Sequence, residues 1–225
     1  FALGFSAGVM VLVSFSELLP DSRRNLEVSF QGAAGGFITV ACLLAGVLAA
    51  AAIDRLVPSI EDPPSGKRHA DLSGTALRRM GLVTAIAITV HNFPEGIATF
   101  MAGYSNIKIG LPVALSIAMH NIPEGIAVAV PIYYGTGSRL KAFGYSAFSG
   151  LSEPLGALLA YLILAPLMSG VTLGIIFGAV AGIMIYISFR ELIPASERYG
   201  HTVWAFAGVL SGVLAMWCAL SLFGI

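Results

Sequence analysis

The sequence predicts an all-α fold, a polytopic bundle of transmembrane helices. Of its 225 residues, 57% are hydrophobic and only 11% are charged, whereas about 25% of the residues in a typical soluble domain are charged. The hydrophobic residues fall in runs of about 20, the length that an α-helix needs to cross a hydrocarbon core of about 30 Å. The 26 glycines suit helices that pack closely within a membrane. We therefore expect this chain to fold in a lipid bilayer.

Seven apolar runs, separated by proline, glycine or charged residues, predict seven membrane spans. They cover residues 1–19, 33–53, 81–101, 109–132, 142–164, 171–193 and 203–223. The first run occupies the very start of the chain, where Phe1 stands in place of a methionine and no charged leader precedes it. We therefore expect the original N-terminus to be missing from this sequence.

The longest polar stretch, residues 54–79, contains Pro63, Pro64 and charges of both signs without apolar periodicity, which predicts a flexible loop. No second domain fits there, so residues 1–225 are interpreted as a single transmembrane domain. When the spans alternate in direction, nine of the twelve lysines and arginines fall on the side of this loop. Positive charge is typical of cytoplasmic loops, so the loop is predicted to be cytoplasmic and the C-terminus to lie outside.

Net charge and cysteine content exclude other kinds of partner and site. The formal net charge of +0 offers no basic excess for nucleic acid, so no nucleic-acid partner is expected. The two cysteines, Cys42 and Cys218, each lie in an apolar run, which argues against a disulfide framework and against a thiolate metal site. Both are predicted to be buried and to pack as small hydrophobic residues.

Two internal repeats relate distant parts of the chain. Residues 7–20 and 181–194 are identical at eight of fourteen positions, and residues 91–98 and 120–127 are identical at seven of eight. Each pair is separated by an odd number of predicted crossings, so its members run in opposite directions through the membrane. Inverted repeats of this kind are common in membrane transporters. The pattern predicts a central helix pair flanked by two related bundles.

The second repeat carries the strongest chemical signal. Residues four apart share a helix face, so His91 lies over Glu95 on one helix, and His120 lies over Glu124 on the next. A short turn at residues 103–108 would bring the two faces together. Ionisable groups at bilayer depth are costly and are normally paired or functional. Two imidazoles and two carboxylates suit Zn²⁺ or Fe²⁺ better than Mg²⁺ or Ca²⁺, which predicts a transition-metal site.

Neighbouring residues suggest a second, oxygen-rich site. Asn92 and Asn121 lie about 100° round the helix from the histidines and could share Glu95 and Glu124 as bridging ligands. Glu153, another carboxylate in an apolar span, is the natural additional ligand. Hydrogen bonding between helices remains the alternative role for the two asparagines.

Two further carboxylates, Glu17 and Glu191, occupy equivalent positions of the first repeat. They could mark the outer and inner mouths of an ion path, while anchoring at the interface or helix capping explains them equally well. Met10 and Met184 recur in the same repeat and are interpreted as packing residues rather than ligands.

These motifs resemble the Zrt/Irt-like (ZIP) family of metal transporters, and most closely its bacterial ZupT branch. The resemblance covers nearly the whole chain, and its most specific parts are residues 91–96, residues 120–125 and Glu153. It implies eight spans with outer termini in a 3+2+3 arrangement, in which the fourth and fifth helices hold a binuclear metal site. On this interpretation the chain shows the last seven of the eight spans.

The resemblance also implies an activity and a set of ligands. The activity is uptake of zinc into the cytoplasm, across the inner membrane of a bacterium, with ferrous iron, manganese, cobalt or cadmium as further substrates. The first metal site would consist of His91, Glu95, His120 and Glu124, and the second of Asn92, Glu95, Asn121, Glu124 and Glu153. The metal would be the transported substrate, so no cofactor is expected, and the sequence has no phosphate-binding motif for ATP. The oligomeric state stays open, with a homodimer as one option.

Two rival classes fit the residues less well. An intramembrane zinc enzyme would need an open coordination position and a nucleophile, but the chain has no His-Glu-x-x-His motif and its paired motifs are nearly identical. We therefore do not expect an enzyme. A cation exchanger selective for Ca²⁺ is disfavoured by the two histidines.

Overall fold

The computed structural model describes residues 1–30, 33–55, 74–167, 169–199 and 202–223. Within these ranges the chain is helical and contains no strand, as the sequence predicts. The α-helices, in chain order, are α1 (Ala2–Val13), α2 (Leu19–Ser29), α3 (Ala33–Asp54), α4 (Gly74–Ser105), α5 (Ile107–Thr136), α6 (Arg139–Gly150), α7 (Ser152–Leu159), α8 (Gly170–Ile187), α9 (Ile193–Tyr199) and α10 (Thr202–Phe223). Short π-helical segments at Ser14–Leu18, Ala160–Leu164 and Ser188–Leu192 continue the helices that precede them.

Six helical segments within these ranges are long and apolar enough to cross a membrane. They are Ala2–Ser29, Ala33–Asp54, Gly110–Thr136, Arg139–Leu167, Gly170–Leu192 and Thr202–Leu222. The 32-residue α4 is also long enough, but two arginines and a buried polar motif lower its hydropathy. It packs along α5, one of the six, so six to seven helices are available for the seven predicted spans. The prediction of a polytopic helical bundle is confirmed.

The helix that follows the polar stretch begins earlier than the sequence suggests. The predicted loop covers residues 54–79 and the predicted span starts at residue 81, whereas α4 starts at Gly74. The predicted loop therefore ends too late, because charged residues such as Arg78 and Arg79 indicate a loop by composition although they occupy the first turns of a helix. Residues 56–73 lie outside the described ranges.

The first sequence repeat has the same local structure in both copies. A long α-helix, α1 or α8, passes into a five-residue π-helical turn and then into a second α-helix, α2 or α9. In each copy the serine at the start of the π turn donates a 2.8 Å hydrogen bond to the carbonyl of a buried methionine four residues earlier, Ser14 to Met10 and Ser188 to Met184. The identical residues of the repeat thus produce identical backbone irregularities.

Two helix pairs outside the centre approach each other through glycines. A Cβ at Gly8 or Gly212 would collide with backbone of the partner helix, where α1 meets α10. The same holds for Gly46 and Gly182, where α3 meets α8. Small residues allow this backbone contact, which membrane helices use in place of a hydrophobic driving force. Each pair joins a helix that precedes the central motifs in the sequence to one that follows them.

The central helices α4 and α5 pack against each other, with α1 and α6 against α5 and with α7 against α4. A hydrophobic core of α1, α4, α5, α8 and α10 residues surrounds this centre. Both cysteines are free. Cys42 is half-buried, but Cys218 is exposed, so the prediction that both are buried was wrong: the apolar run around Cys218 presents one of its faces outward.

Candidate metal centre

The predicted site lies on two long helices that contain prolines. Pro94 lies within α4, and Pro123 lies within α5. Because proline has no N–H, the carbonyls of Val90 and Met119 lose their usual helical partner. Irregular backbone at membrane depth is tolerated where it is buried in protein or lines a cavity. The local structure of both motifs therefore suits an ion-binding cavity.

Four polar side chains of these motifs are almost completely buried between the helices. The exposed fraction is 3% for Asn92, 1% for Glu95, 0% for His120 and 3% for Glu124. Burial of this degree is expensive for carboxylates unless a cation or a hydrogen-bond donor compensates them. The structure thus brings residues from both copies of the duplicated motif into one buried cluster between α4 and α5, as the helical spacing predicts.

Several polar atoms in this place have no hydrogen-bond partner among the residues that the structure describes. They are Oδ1 of Asn92, both carboxylate oxygens of Glu95, both imidazole nitrogens of His120 and Oδ1 of Asn121. Nε2 of His120 lies 3.4 Å from Oε1 of Glu95, which is close enough for an ion pair but not aligned as a hydrogen bond. Buried polar atoms are normally satisfied. These atoms have the donor chemistry, nitrogen and oxygen, that binds Zn²⁺.

Three carboxylates converge on one imidazole. Glu95, Glu124 and Glu153 all lie close enough to interact electrostatically with His120. Glu153 also interacts with Glu95. One histidine cannot neutralise three carboxylates, so the side chains that the structure describes here carry an excess of negative charge when the carboxyl groups are ionised.

Glu153 reaches the centre because α7 lies backbone to backbone against α4. A Cβ at Gly96 would collide with the carbonyl of Glu153, and a Cβ at Gly156 would collide with the carbonyl of Phe93. Nδ2 of Asn121 donates a 2.7 Å hydrogen bond to Oε2 of Glu153. This bond is the interhelical role that the sequence left as the alternative for Asn121, and it places Asn121 and Glu153 together as the second site requires.

The position of His91 is helical, but its side chain lies outside the part of the structure that is described. Among the described side chains, no group of three histidine, cysteine, aspartate or glutamate residues has the geometry of a metal site. The ligand set of the two sites therefore stays a prediction, supported by the burial and convergence of its described members.

The structure adds a contact that the sequence did not predict. Ser6, on α1, is completely buried, and its Oγ lies 3.3 Å from Oε1 of Glu124 and 3.5 Å from the carbonyl oxygen of His120. One signal in the sequence could have drawn attention to Ser6, which directly precedes residues 7–20 of the first repeat, since the residue that precedes the other copy is the apolar Val180. A polar residue in only one of two matched membrane helices is worth a functional hypothesis.

The remaining candidates lie outside this cluster. Glu17 and Glu191 occupy equivalent places in the two π-helical turns, and Glu17 interacts with Asp21 and Arg24. Their role as mouths of a path stays a prediction. Met10 and Met184 are completely or almost completely buried in the hydrophobic core, which fits their interpretation as packing residues.

Comparison with known proteins agrees with this geometry. A family model described as ZIP Zinc transporter matches residues 59–219. The zinc transporter ZupT of Streptococcus mutans is 51% identical over 224 residues, which cover 99% of this chain and 85% of the relative. Proteins of the same name from Chlorobium luteolum and Akkermansia muciniphila are 50% and 48% identical, over 98% and 96% of this chain and 84% and 83% of their own lengths.

Proposed function

Since the chain belongs to the ZIP zinc transporter family and is most similar to its bacterial ZupT branch, we propose that it transports Zn²⁺ across a membrane through the centre between α4 and α5. The observation that carries the proposal is the convergence of Glu95, Glu124 and Glu153 on the buried His120. The family is one of transporters rather than enzymes, and the metal is its substrate rather than a resident cofactor.

The charge of the centre supports a divalent cation as the substrate. Three carboxylates at bilayer depth are costly, and Zn²⁺ would offset the charge of two of them while accepting an imidazole nitrogen as well. A second cation, or a proton, would compensate the third. Binding of the ion thus offsets the cost of burying the carboxylates, which favours entry of the ion from water.

Two adjacent ions fit the donor set better than one. His91, Glu95, His120 and Glu124 would hold the first ion, and Asn92, Glu95, Asn121, Glu124 and Glu153 would hold the second. In this arrangement Glu95 and Glu124 bridge the ions. Oε2 of Glu153 accepts a hydrogen bond from Asn121, so the amide orients the carboxylate that the second ion would use.

The donor set also supports release and a range of substrates. Thiolates, which hold Zn²⁺ most tightly, are absent from the proposed ligands, so imidazole and carboxylate ligands can exchange. Fe²⁺, Mn²⁺, Co²⁺ and Cd²⁺ accept the same donors and are proposed as further substrates.

The distribution of lysines and arginines supports an orientation of the chain in the membrane, and the resemblance to the family implies the direction of transport. This distribution places the polar stretch before α4 in the cytoplasm and the C-terminus outside. With that orientation in the inner membrane of a bacterium, the proposed activity is uptake into the cytoplasm. A homodimer is compatible with the exposed apolar helix faces, which otherwise contact lipid.

The test is zinc flux into proteoliposomes that contain a zinc-sensitive dye, together with accumulation of radioactive zinc by cells that express the protein. Wild-type protein should support both, and His120→Ala and Glu95→Gln should each reduce flux at least about tenfold, since even residues that only orient metal ligands contribute about 10- to 100-fold. Ser14→Ala, which removes a buried hydroxyl outside the centre, is the control. Full flux in both site variants would overturn the proposal.

A further inference from the structure

The hydroxyl of Ser6 connects a flanking helix to the metal centre. Ser6 lies on α1, which packs against α5, and its side chain is completely buried. Three acceptors surround its Oγ: Oε1 of Glu124 at 3.3 Å, the carbonyl oxygen of His120 at 3.5 Å and the sulfur of Met10 at 4.0 Å. A hydroxyl has one hydrogen to donate, and an ionised carboxylate is the strongest acceptor of the three.

Other buried serines of this protein show what a purely structural serine does. Ser14 and Ser188, both completely buried, donate 2.8 Å hydrogen bonds to carbonyls four residues earlier in their own helices. This is the usual arrangement of serine within a helix. Ser22, also completely buried, donates to the carbonyl of Gly174 on another helix at 2.6 Å. Ser6 differs from all three because its acceptor Glu124 is a carboxylate that belongs to the proposed ligand set.

The contact also distinguishes the two halves of the duplicated motif. Glu95 faces the imidazole of His120, whereas Glu124 faces the hydroxyl of Ser6. Ser6 directly precedes the first copy of the repeat at residues 7–20, and the residue that precedes the other copy is Val180, which has no side-chain hydrogen-bond donor. The two carboxylates, which have the same place in the repeated motif, therefore have different surroundings.

We propose that Ser6 is a positioning residue for metal binding: its hydroxyl donates to Oε1 of Glu124 and holds this carboxylate in the orientation that coordinates the ion. The inference rests on the proposed function, because it gives Glu124 the role of a ligand. Hydrogen bonds from neighbouring groups orient ligating carboxylates and contribute about 10- to 100-fold to metal affinity. Since the 3.3 Å contact is longer than an ideal hydroxyl–carboxylate bond, Ser6→Ala should weaken affinity by about 3- to 10-fold.

The experiment measures Cd²⁺ affinity by calorimetry on the full chain in detergent, with the thermal midpoint of the metal-free protein measured in parallel. The variants are Ser6→Ala, His120→Ala and the control Ser14→Ala, which removes a buried hydroxyl on the same helix. Ser6→Ala should weaken Cd²⁺ binding by about 3- to 10-fold, while Ser14→Ala should bind as the wild type does. A purely structural serine would change the thermal midpoint without changing the affinity.

If Ser6→Ala does not fold, a second pair of variants tests whether the hydroxyl of Ser6 contributes to metal binding. Ser6→Thr keeps the hydroxyl and adds a methyl group, and Ser6→Val has nearly the same shape as Ser6→Thr with a methyl group in place of the hydroxyl. The threonine variant should therefore bind Cd²⁺ about 3- to 10-fold more tightly than the valine variant. Equal affinities in this pair, or a wild-type affinity of Ser6→Ala, would overturn the role of Ser6. If His120→Ala also bound Cd²⁺ with wild-type affinity, the proposed centre itself would be wrong, so the two failures are distinguishable.

Discussion

Asn121 on α5 donates a 2.7 Å hydrogen bond to Glu153 on α7, across 32 residues of sequence. The bond joins the central helix pair to a third helix at the level where Glu95, His120 and Glu124 are buried. It orients one carboxylate oxygen of Glu153 and places this residue beside Asn121, which is proposed as a ligand of the oxygen-rich site. The first prediction tests that proposal.

Glu153→Gln should lower the metal content from two ions toward one, because only the oxygen-rich site is proposed to use this carboxylate. Glu95→Gln and Glu124→Gln should each lower the occupancy of both ions, since each carboxylate is proposed to bridge the two ions. Anomalous diffraction from metal-soaked crystals measures the occupancy of each ion. Glu197→Gln, at an exposed position on α9, is the matched control. Two fully occupied ions in Glu153→Gln would remove Glu153 from the ligand set.

His91→Ala and His120→Ala should each weaken binding of Zn²⁺ or Cd²⁺ by at least about tenfold, because both imidazoles are proposed as direct ligands and even residues that only orient ligands contribute about 10- to 100-fold. The helical circular dichroism of both variants should stay that of the wild type. Calorimetry in detergent gives the affinities. Unchanged affinity in both variants would contradict a histidine-containing site.

Metal affinity should fall as the pH falls from about 7.5 to about 5.5, since imidazole and carboxylate must lose their protons to bind a metal ion. The complex of protein and metal ion is thus stable at the higher pH, and it dissociates at lower pH because protons compete with the ion for the ligands. Binding should release protons, which calorimetry detects as a dependence of the measured heat on the ionisation enthalpy of the buffer. An affinity that is flat over this range would contradict the proposed ligands.

Gly156→Ala should destabilise the protein by about 1–3 kcal/mol, because the added methyl group overpacks a close helix contact. A Cβ there would collide with the carbonyl of Phe93 on α4, so α7 would have to move and take Glu153 away from Asn121. Gly144→Ala on α6, where a Cβ meets nothing within 4 Å, should instead be neutral or stabilise the helix by up to about 1 kcal/mol.

Thermal unfolding in detergent compares these two variants, and metal stoichiometry reports whether Glu153 has been displaced. Gly156→Ala should lower the occupancy of the oxygen-rich site, whereas Gly144→Ala should keep both ions. Equal stability of the two variants would show that the close contact between α4 and α7 is dispensable.

Local patterns in the sequence predicted the features that depend on neighbours along the chain. Runs of apolar residues predicted the helical bundle, and the i, i+4 spacing of His120 and Glu124 predicted a shared, buried face. The end of the polar stretch was misplaced at α4, since Arg78 and Arg79 look like loop residues yet lie in a helix. The exposure of Cys218 was also missed, because an apolar run does not indicate which of its faces meets lipid.

The sequence by itself determined the fold class, the family and the burial of the paired motifs, because hydrophobic length and helical periodicity are local properties of the chain. Only the tertiary structure decided that Asn121 pairs with Glu153, that Gly96 and Gly156 let α7 touch α4, and that Ser6 faces Glu124. These contacts join residues 32 to 118 positions apart or backbones brought together by close packing. No periodicity within one helix encodes the distance to another, so the partners of the central carboxylates became visible only in the packed bundle.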